Sequence, residues 1–353
     1  MLLIHQRIAA FSQLGVHLKN LLNDFETGKI DAVFDDEVMQ SALSNNSWFT
    51  KDNIHLMLKS IAEMLDNSVL ENILRDYPLL ETKQQTKTIA VIMAGNIPLV
   101  GFQDFLHVLL SGHSFLGKLS HQDSFLLPAL AKMLIAIEPE FKDLISFAEQ
   151  KINNFDAVIA TGSDNSGRYF DYYFGKFPNL IRRNRHGVGI LTGDESMASL
   201  QNLGLDIFSF FGLGCRNVST LFVPPNFNFE PLFKAFEGFS AVAEHSKYFN
   251  NYEYNKAIFL VNGVKHLDNG FVLIRQAEDF GSPVAVMHYQ VYDELKKLKE
   301  VLDLNQSKIQ CIVSDNSWFA GSYPFGRAQF PGLTAYADGM DTIQFLLGLT
   351  SEI

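Results

Sequence analysis

The sequence predicts an α/β protein whose sheets are mainly parallel. Three observations carry this. A β-branched run, TIAVIMAG (88–95), is followed by helical spacing from Val100 to Leu110, and a second strand-like run is GHSFLGKLS (112–120). Helical spacing then returns from Phe125 to Ile137, before a third run, FDAVIATGS (155–163). Strand alternating with helix is the pattern of a parallel sheet. In the second half, further strands are expected near 218–223, 257–262, 283–288 and 309–313. The chain has 353 residues, enough to bury a large core and to divide into two domains.

The N-terminal stretch reads differently. Leu14, Leu18, Leu21 and Leu22 recur at helical spacing, as do Ile54, Leu58, Ile61 and Leu65, so residues 2–74 are expected to be helices packed on a downstream part of the chain. Pro224 to Pro231 reads as a surface connection, and no internal repeat or low-complexity segment interrupts the chain.

Composition excludes several classes. Hydrophobic residues make up 47% and charged residues 19%, an ordinary globular balance, and 31 phenylalanines point to large cores or apolar binding surfaces. The net charge of −11, without a basic cluster, argues against nucleic acid as a partner. Cys215 and Cys311 are the two cysteines, so no disulfide framework or cysteine zinc site is expected, and a reducing cytoplasm fits. The opening MLLIHQRIAAF is too short an apolar run for a signal peptide, and no apolar run is long enough for a transmembrane segment.

The stretch DIFSFFGLGCRNVSTLFVPP (206–225) carries the first candidate for chemistry. Apolar residues (Ile207, Phe208, Phe210, Phe211) lead into Gly212 and Gly214, then Cys215, and a strand from Val218 to Val223 comes next. This predicts a sharp, largely buried bend with strand-like flanks. Gly214 would let a substrate approach the sulfur, and Arg216 would favour the reactive thiolate. An inert core thiol is the default for a lone cysteine, so partners must come from elsewhere.

Three strand-to-helix handovers supply candidates. Lys118 ends a strand, and Ser120 with Asp123 resembles a capping box opening a helix, a place where free N–H groups and a cation bind anions. A solvated lysine at a strand end is the commoner case. Gly162 permits a tight turn after the third strand, and Ser163 can cap the next helix or bond a phosphate; a plain capped helix is the simpler account. Asn96, in Gly95-Asn96-Ile97-Pro98, could donate to a developing oxyanion or serve only turn chemistry.

Gly-Asn-x-Pro, Gly-Lys-x-Ser, Thr-Gly-Ser and Cys in a glycine bend occur here in one order. AGNIPLVGFQDFLHVLLSGHSFLGKLSHQDS, ATGSDNSGR, the Cys215 segment, AEDFGSPVAV (277–286) and YPFGRAQFPGL (323–333) together resemble the aldehyde dehydrogenase superfamily. The likeness is strongest to its acyl-CoA reductase branch, the type that supplies fatty aldehyde in bioluminescence, and spans residues 85–345. It implies an aldehyde-dehydrogenase-like α/β fold, with a Rossmann-type cofactor domain, an α/β catalytic domain and a helical N-terminus. The boundaries expected are 1–84 for the helical segment, 85–204 for the dinucleotide-binding domain, 205–335 for the catalytic domain and 336–353 for a C-terminal helix.

Carried over by position, Cys215 resembles the family nucleophile and Asn96 the oxyanion donor. Lys118 and Ser120 resemble residues that hold the adenosine ribose or its phosphate, and Gly162 and Ser163 the pyrophosphate turn. Glu278 and Phe280 resemble the nicotinamide-side pair, although Ser282 stands where proline usually follows glycine. The cofactor implied is a reduced nicotinamide, NADPH or NADH, and the partner an acyl-CoA or another activated acyl donor. The chain is shorter than a typical aldehyde dehydrogenase, which implies a reduced oligomerisation arm and leaves a homo-oligomer open.

One departure bears on mechanism. Where hydrolytic relatives place a general-base glutamate, NLIRRNRHGVGIL (179–191) has no carboxylate. Hydrolysis of a thioester needs an activated water, whereas exchange with CoA thiol does not. The expected activity is therefore acyl-CoA reduction through a cysteine thioester. His186 is a candidate acid or base, or simply a satisfied histidine. Alternatives are an aldehyde-oxidising dehydrogenase and a non-catalytic nucleotide-binding relative.

Overall fold

The computed structural model describes residues 2–27, 36–82, 85–162 and 164–349. The chain divides into two compact units, one of residues 1–183 with 330–353, the other of residues 184–329.

The first unit opens with helices α1 (Ile4–Thr27), α2 (Asp36–Asn45), α3 (Lys51–Met64) and α4 (Asn67–Asp76), as the apolar spacing predicts. Two have side-chain caps: Thr50 accepts from the Asn53 N–H, and Asp66 from the Ser68 N–H. Their buried stripes, including Phe11, Leu14, Leu18, Ile54, Leu58 and Ile61, join one core with the adjoining sheet. That sheet comes from β1 (Thr88–Ile92), α5 (Phe102–Leu110), β2 (Ser114–Lys118), α6 (Leu126–Ile137), β3 (Ile145–Phe147), β4 (Ala157–Thr161), α7 (Asp164–Phe174) and β5 (Asn179–Arg182). Its order is β3-β2-β1-β4-β5, with every pairing parallel.

β1 is central. Ile89 and Val91 face the core shared with the helices, while Ala90 faces the other way, beside Val158 and Ala160. A strand covered on both faces reads as a continuous apolar run, which is why TIAVI is legible. β1 also lies between β2 and β4, where the strand order reverses and doubly wound sheets bind ligands beyond their carboxyl ends. A buried ion pair braces α5 to β5: the Arg182 guanidinium holds both Asp104 carboxylate oxygens at 2.6 and 2.8 Å and reaches the Thr342 hydroxyl at 2.8 Å.

The second unit comprises β6 (His186–Ile190), α8 (Met197–Phe208), β7 (Val218–Val223), α9 (Glu230–Phe236), α10 (Ser246–Val261), β8 (Leu267–Asp268), β9 (Leu273–Gln276), β10 (Val286–Val291), α11 (Leu295–Leu304), β11 (Ile309–Ser314) and β12 (Tyr323–Pro324). The strand order is β12-β11-β6-β7-β10-β9-β8, parallel except for β8 with β9. Val218, Leu221 and Val223 face one apolar layer with α8 and α9; Phe222 faces another with Phe280, Leu298 and Leu302. The chain then returns to the first unit, where it forms α12 (Thr342–Gly348).

Several expectations change. The strand expected at 257–262 is the end of α10, whose buried Tyr248, Tyr252, Asn255 and Phe259 repeat at helical spacing. A short apolar run does not by itself distinguish strand from helix. Likewise Ile207 and Phe208 close α8 rather than forming a strand. The expected division near residue 205 differs from the structural one after Arg183, because β6 pairs with β7 and β11.

Candidate active site

Cys215 sits in a tight turn between α8 and β7, closed by the Asn217 N–H donating to the Gly214 carbonyl at 3.0 Å. Its thiol is exposed, not buried as the apolar flanks suggested. The approach is conformationally unusual. Phe210, Phe211 and Gly212 have φ of 51°, 56° and 75°, three left-handed residues in succession. Such strain in bulky residues persists only when the surroundings enforce it, and it gathers at functional sites.

Asn217 clamps the backbone on both sides of this left-handed segment, and sequence reasoning passes over it. Its side-chain oxygen accepts from the Gly214 N–H at 2.8 Å, while its amide donates to the carbonyls of Ser209 at 2.8 Å and Asp206 at 3.1 Å. It is 2% exposed, so these bonds form away from water. The Gly-Cys-x-Asn spacing carries a signal only once the turn is known. Asp206 ties the same end of α8 to the 326–328 loop, accepting from the N–H groups of Gly326 at 2.7 Å and Ala328 at 2.9 Å. Burial nevertheless pushes its carboxyl up to about 7.

β6 packs against this turn from the side. The Gly187 N–H donates to the Asn217 carbonyl at 3.1 Å. A Cβ at Gly187 would come within 2.7 Å of the carbonyl oxygens of both Arg216 and Asn217, so only glycine fits. His186 therefore enters β6 one residue from the backbone that holds the Cys215 turn. Its ring also lies against Gly281, where a Cβ would be 2.5 Å from the imidazole. The Arg216 guanidinium lies over the Tyr323 ring, 5.2 Å from its centre, with the Ala328 carbonyl at 3.5 Å. Cys311 is buried in β11, its thiol pushed up to about 12 by burial and directed at the Arg216 carbonyl, 3.6 Å away.

Glu278 is exposed, while Phe280 is buried against Phe222 and takes Lys308 over its ring. The Phe280 carbonyl accepts from the hydroxyls of Ser219 and Thr220 at 2.6 and 2.8 Å, fastening this segment to β7.

In the first unit the handovers after β1, β2 and β4 lie at the carboxyl edge of one sheet. Gly95 presses on Ser120: a Cβ there would lie 2.5 Å from the Ser120 hydroxyl. The Lys118 ammonium donates to the Glu149 carbonyl at 2.8 Å. The expected capping box does not form. α6 begins later, at Leu126, and has no side-chain cap. Instead the Asp123 carboxylate accepts from the Leu99 N–H at 2.7 Å, joining the first two handovers; burial pushes it up to about 6. The helical N-terminus reaches the same loops. Asn46 donates to the Gly95 carbonyl at 3.0 Å, and Asn45 donates to that of His121. Asn96 is half-buried in this group. At Gly162 a Cβ would meet Ser166 at 2.8 Å and the Phe170 ring at 2.9 Å, so β4 and α7 approach closely. Ser163 lies outside the described residues.

These features fit a dinucleotide: a doubly wound sheet, glycines at two of its carboxyl-edge turns, and a lysine ending β2. Among the described residues no group of three or more His, Cys, Asp or Glu side chains is placed to hold a metal ion, and no helix is long and apolar enough to cross a membrane.

Comparison with solved structures defines the class: the chain has the aldehyde dehydrogenase fold. Aldehyde dehydrogenase 21 from Physcomitrella patens, in complex with succinate, matches with a TM-score of 0.65 at 15% identity, over 98% of this chain and 84% of that one. An indole-3-acetaldehyde dehydrogenase complexed with NAD+ matches with a TM-score of 0.65 at 12% identity, over 99% and 83%. A Mycobacterium tuberculosis aldehyde dehydrogenase complexed with NAD+ matches with a TM-score of 0.59 at 14% identity, over 89% and 73%. Residues 19–171 match the model of the family described as acyl-CoA reductase (LuxC), so the resemblance read from the motifs is borne out. No curated protein matches the sequence.

Proposed function

We propose that the protein is an acyl-CoA reductase that carries the acyl group on Cys215. The observation that carries this reading is the exposed Cys215 thiol, on a turn braced by Asn217, in a chain of aldehyde dehydrogenase fold whose residues 19–171 match the acyl-CoA reductase family.

In this reading the Cys215 thiolate attacks the acyl carbonyl and CoA thiol leaves, which gives a thioester on the protein. The resemblance assigns Asn96 to the oxyanion of the tetrahedral intermediate. A nicotinamide cofactor, when bound, supplies the hydride that releases aldehyde from Cys215. Lys118, Ser120, Gly162 and Ser163 would hold its adenosine and phosphate side, and Glu278 and Phe280 would border the nicotinamide.

The end of β2 favours NADPH. A carboxylate there reads the ribose hydroxyls of NAD, whereas a cation accommodates the extra phosphate of NADP. Here Lys118-Leu119-Ser120-His121 follows Gly117, and the buried Asp123 carboxylate is turned to the Leu99 N–H.

Water is not the expected acceptor. β5 and β6 carry no carboxylate, and Glu195 beyond them spends its own on the Thr192 hydroxyl at 2.9 Å and the Gly193 N–H at 3.0 Å. Attack by CoA thiol on the thioester needs no such base.

The test is NADPH and NADH oxidation across a panel of acyl-CoAs, with the product identified. Aldehyde formation that Cys215→Ser abolishes supports the reading. Free acid formed from aldehyde and NAD+ or NADP+, without CoA, would identify an aldehyde oxidiser instead. No turnover and no acyl label on Cys215 would leave a nucleotide-binding protein.

A further inference from the structure

Where the chain returns to the first unit, residues 333–349 lie against α5 as a strap. Ile343, Leu346 and Leu347 of α12 share one core with the apolar residues of α5. Two histidines clasp the strap, one near each end. His107 of α5 places Nε2 3.0 Å from the Leu333 carbonyl, to which the Gln103 amide also donates at 3.1 Å. His113, beyond the end of α5, places Nε2 3.1 Å from the Leu346 carbonyl.

A carbonyl only accepts, so in both rings Nε2 carries the hydrogen. Neither ring can take a second one where it stands. His113 Nδ1 faces the Lys87 N–H at 3.3 Å, a group that only donates. His107 Nδ1 is buried with no hydrogen-bond partner, and its ring packs on Tyr336 of the strap, 5.3 Å between centres. Both side chains are buried, so a proton added at either Nδ1 would meet a donor or no acceptor at all.

The surrounding charges do not offset this. Asp104 of α5, Arg182 of β5 and Asp341 ahead of α12 act on His107; Arg7 of α1, Lys87 ahead of β1 and Asp156 ahead of β4 act on His113. The Asp104 carboxylate is held by Arg182, and that of Asp341 by the Tyr77 hydroxyl. Burial dominates, pushing His107 down to about 4 and His113 below its ordinary value.

We propose that residues 333–349 form an acid-sensitive latch, which protonation of His107 and His113 releases from α5 while the sheet behind it stays folded. The proposal is independent of the acyl-CoA reductase reading. Each histidine regains its ordinary titration once the strap lifts. Their contribution is therefore complete above about pH 6.5 and is lost as pH falls from there toward 4. At pH 5.5 His107 alone makes opening about tenfold easier.

Hydrogen exchange read by mass spectrometry between pH 5 and 8, corrected for the intrinsic rate, tests this on the whole chain. Exchange in 333–349 should rise on acidification, about tenfold from His107 at pH 5.5 and further from His113, while β1 and β2 stay protected. His107→Gln and His113→Gln keep a donor but do not titrate, so each should remove one histidine's share and the double variant the whole response. If the double variant does not fold, the single variants decide. Strap exchange that ignores pH, an acid response that neither single variant reduces, or loss of protection in β1 and β2 along with the strap would overturn the proposal.

Discussion

The side-chain amide of Asn217 braces the turn that carries Cys215. Its bonds to the Gly214 N–H and to the carbonyls of Asp206 and Ser209 tie the outgoing side of the turn to the incoming one. Asn217→Ala leaves those buried groups unpaired, at about 1–3 kcal/mol each. It should slow Cys215 alkylation and lower kcat more than it raises KM, because the thiol loses its aim rather than its substrate. Unchanged alkylation and turnover in a folded variant would leave Asn217 purely structural. Asp206 adds a pH dependence. Its carboxyl, raised to about 7, contributes stability that is complete below the ordinary aspartate range and is lost as pH rises through 7. Asp206→Asn should therefore flatten the fall in melting temperature between pH 5 and 8; an unaltered slope would show that other groups set it. The Cys215 position is legible because close glycines ahead of a cysteine are uncommon in an apolar run. Asn217 is not, because a buried asparagine acquires its role only from where the surrounding backbone groups point.

Among the elements, the turns after β1 and β2 act as one device. Asp123 links them, and Asn45 and Asn46 tether both to the helical N-terminus, whose apolar spacing alone reports little beyond packing. Gly95 shows how tight the arrangement is. Gly95→Ala drives a methyl into Ser120 and should weaken cofactor binding at least tenfold, and the double variant with Ser120→Gly should recover part of that loss. Isothermal titration with NADPH reads both; equal affinity in Gly95→Ala would mean that the turn yields freely. Lys118→Ala should raise the Michaelis constant for the cofactor and change saturated turnover much less, since a contact to ribose or phosphate contributes mainly uniform binding. A fall in turnover at unchanged affinity would contradict that role. The strands of the first unit can be read from sequence because both their faces are buried. The absence of a capping box at Ser120 cannot, since Asp123 bonds across to Leu99 and a local pattern does not report a partner so far back in the chain.

At the scale of the whole molecule, the two sheets follow from alternating strands and helices, and the order of four modest motifs carries the family resemblance that the fold and the match over residues 19–171 support. The point of division does not follow, because the pairing of β6 with β11 depends on contacts between residues far apart in sequence. The functional reading makes one further demand on Asn96: as oxyanion donor its replacement by alanine should cost about two to three orders of magnitude in turnover. Near-normal turnover in a folded Asn96→Ala would reduce it to turn chemistry.

The central claim is that Cys215 accepts an acyl group from CoA and holds it where no carboxylate of β5 or β6 activates water. Intact-mass spectrometry after addition of acyl-CoA, without reduced cofactor, tests this directly. The account predicts one acyl adduct on Cys215, absent from Cys215→Ser, that persists over time and is discharged when CoA is added. Rapid loss of the adduct as free acid at a rate indifferent to CoA, or an adduct that survives in Cys215→Ser, would contradict it.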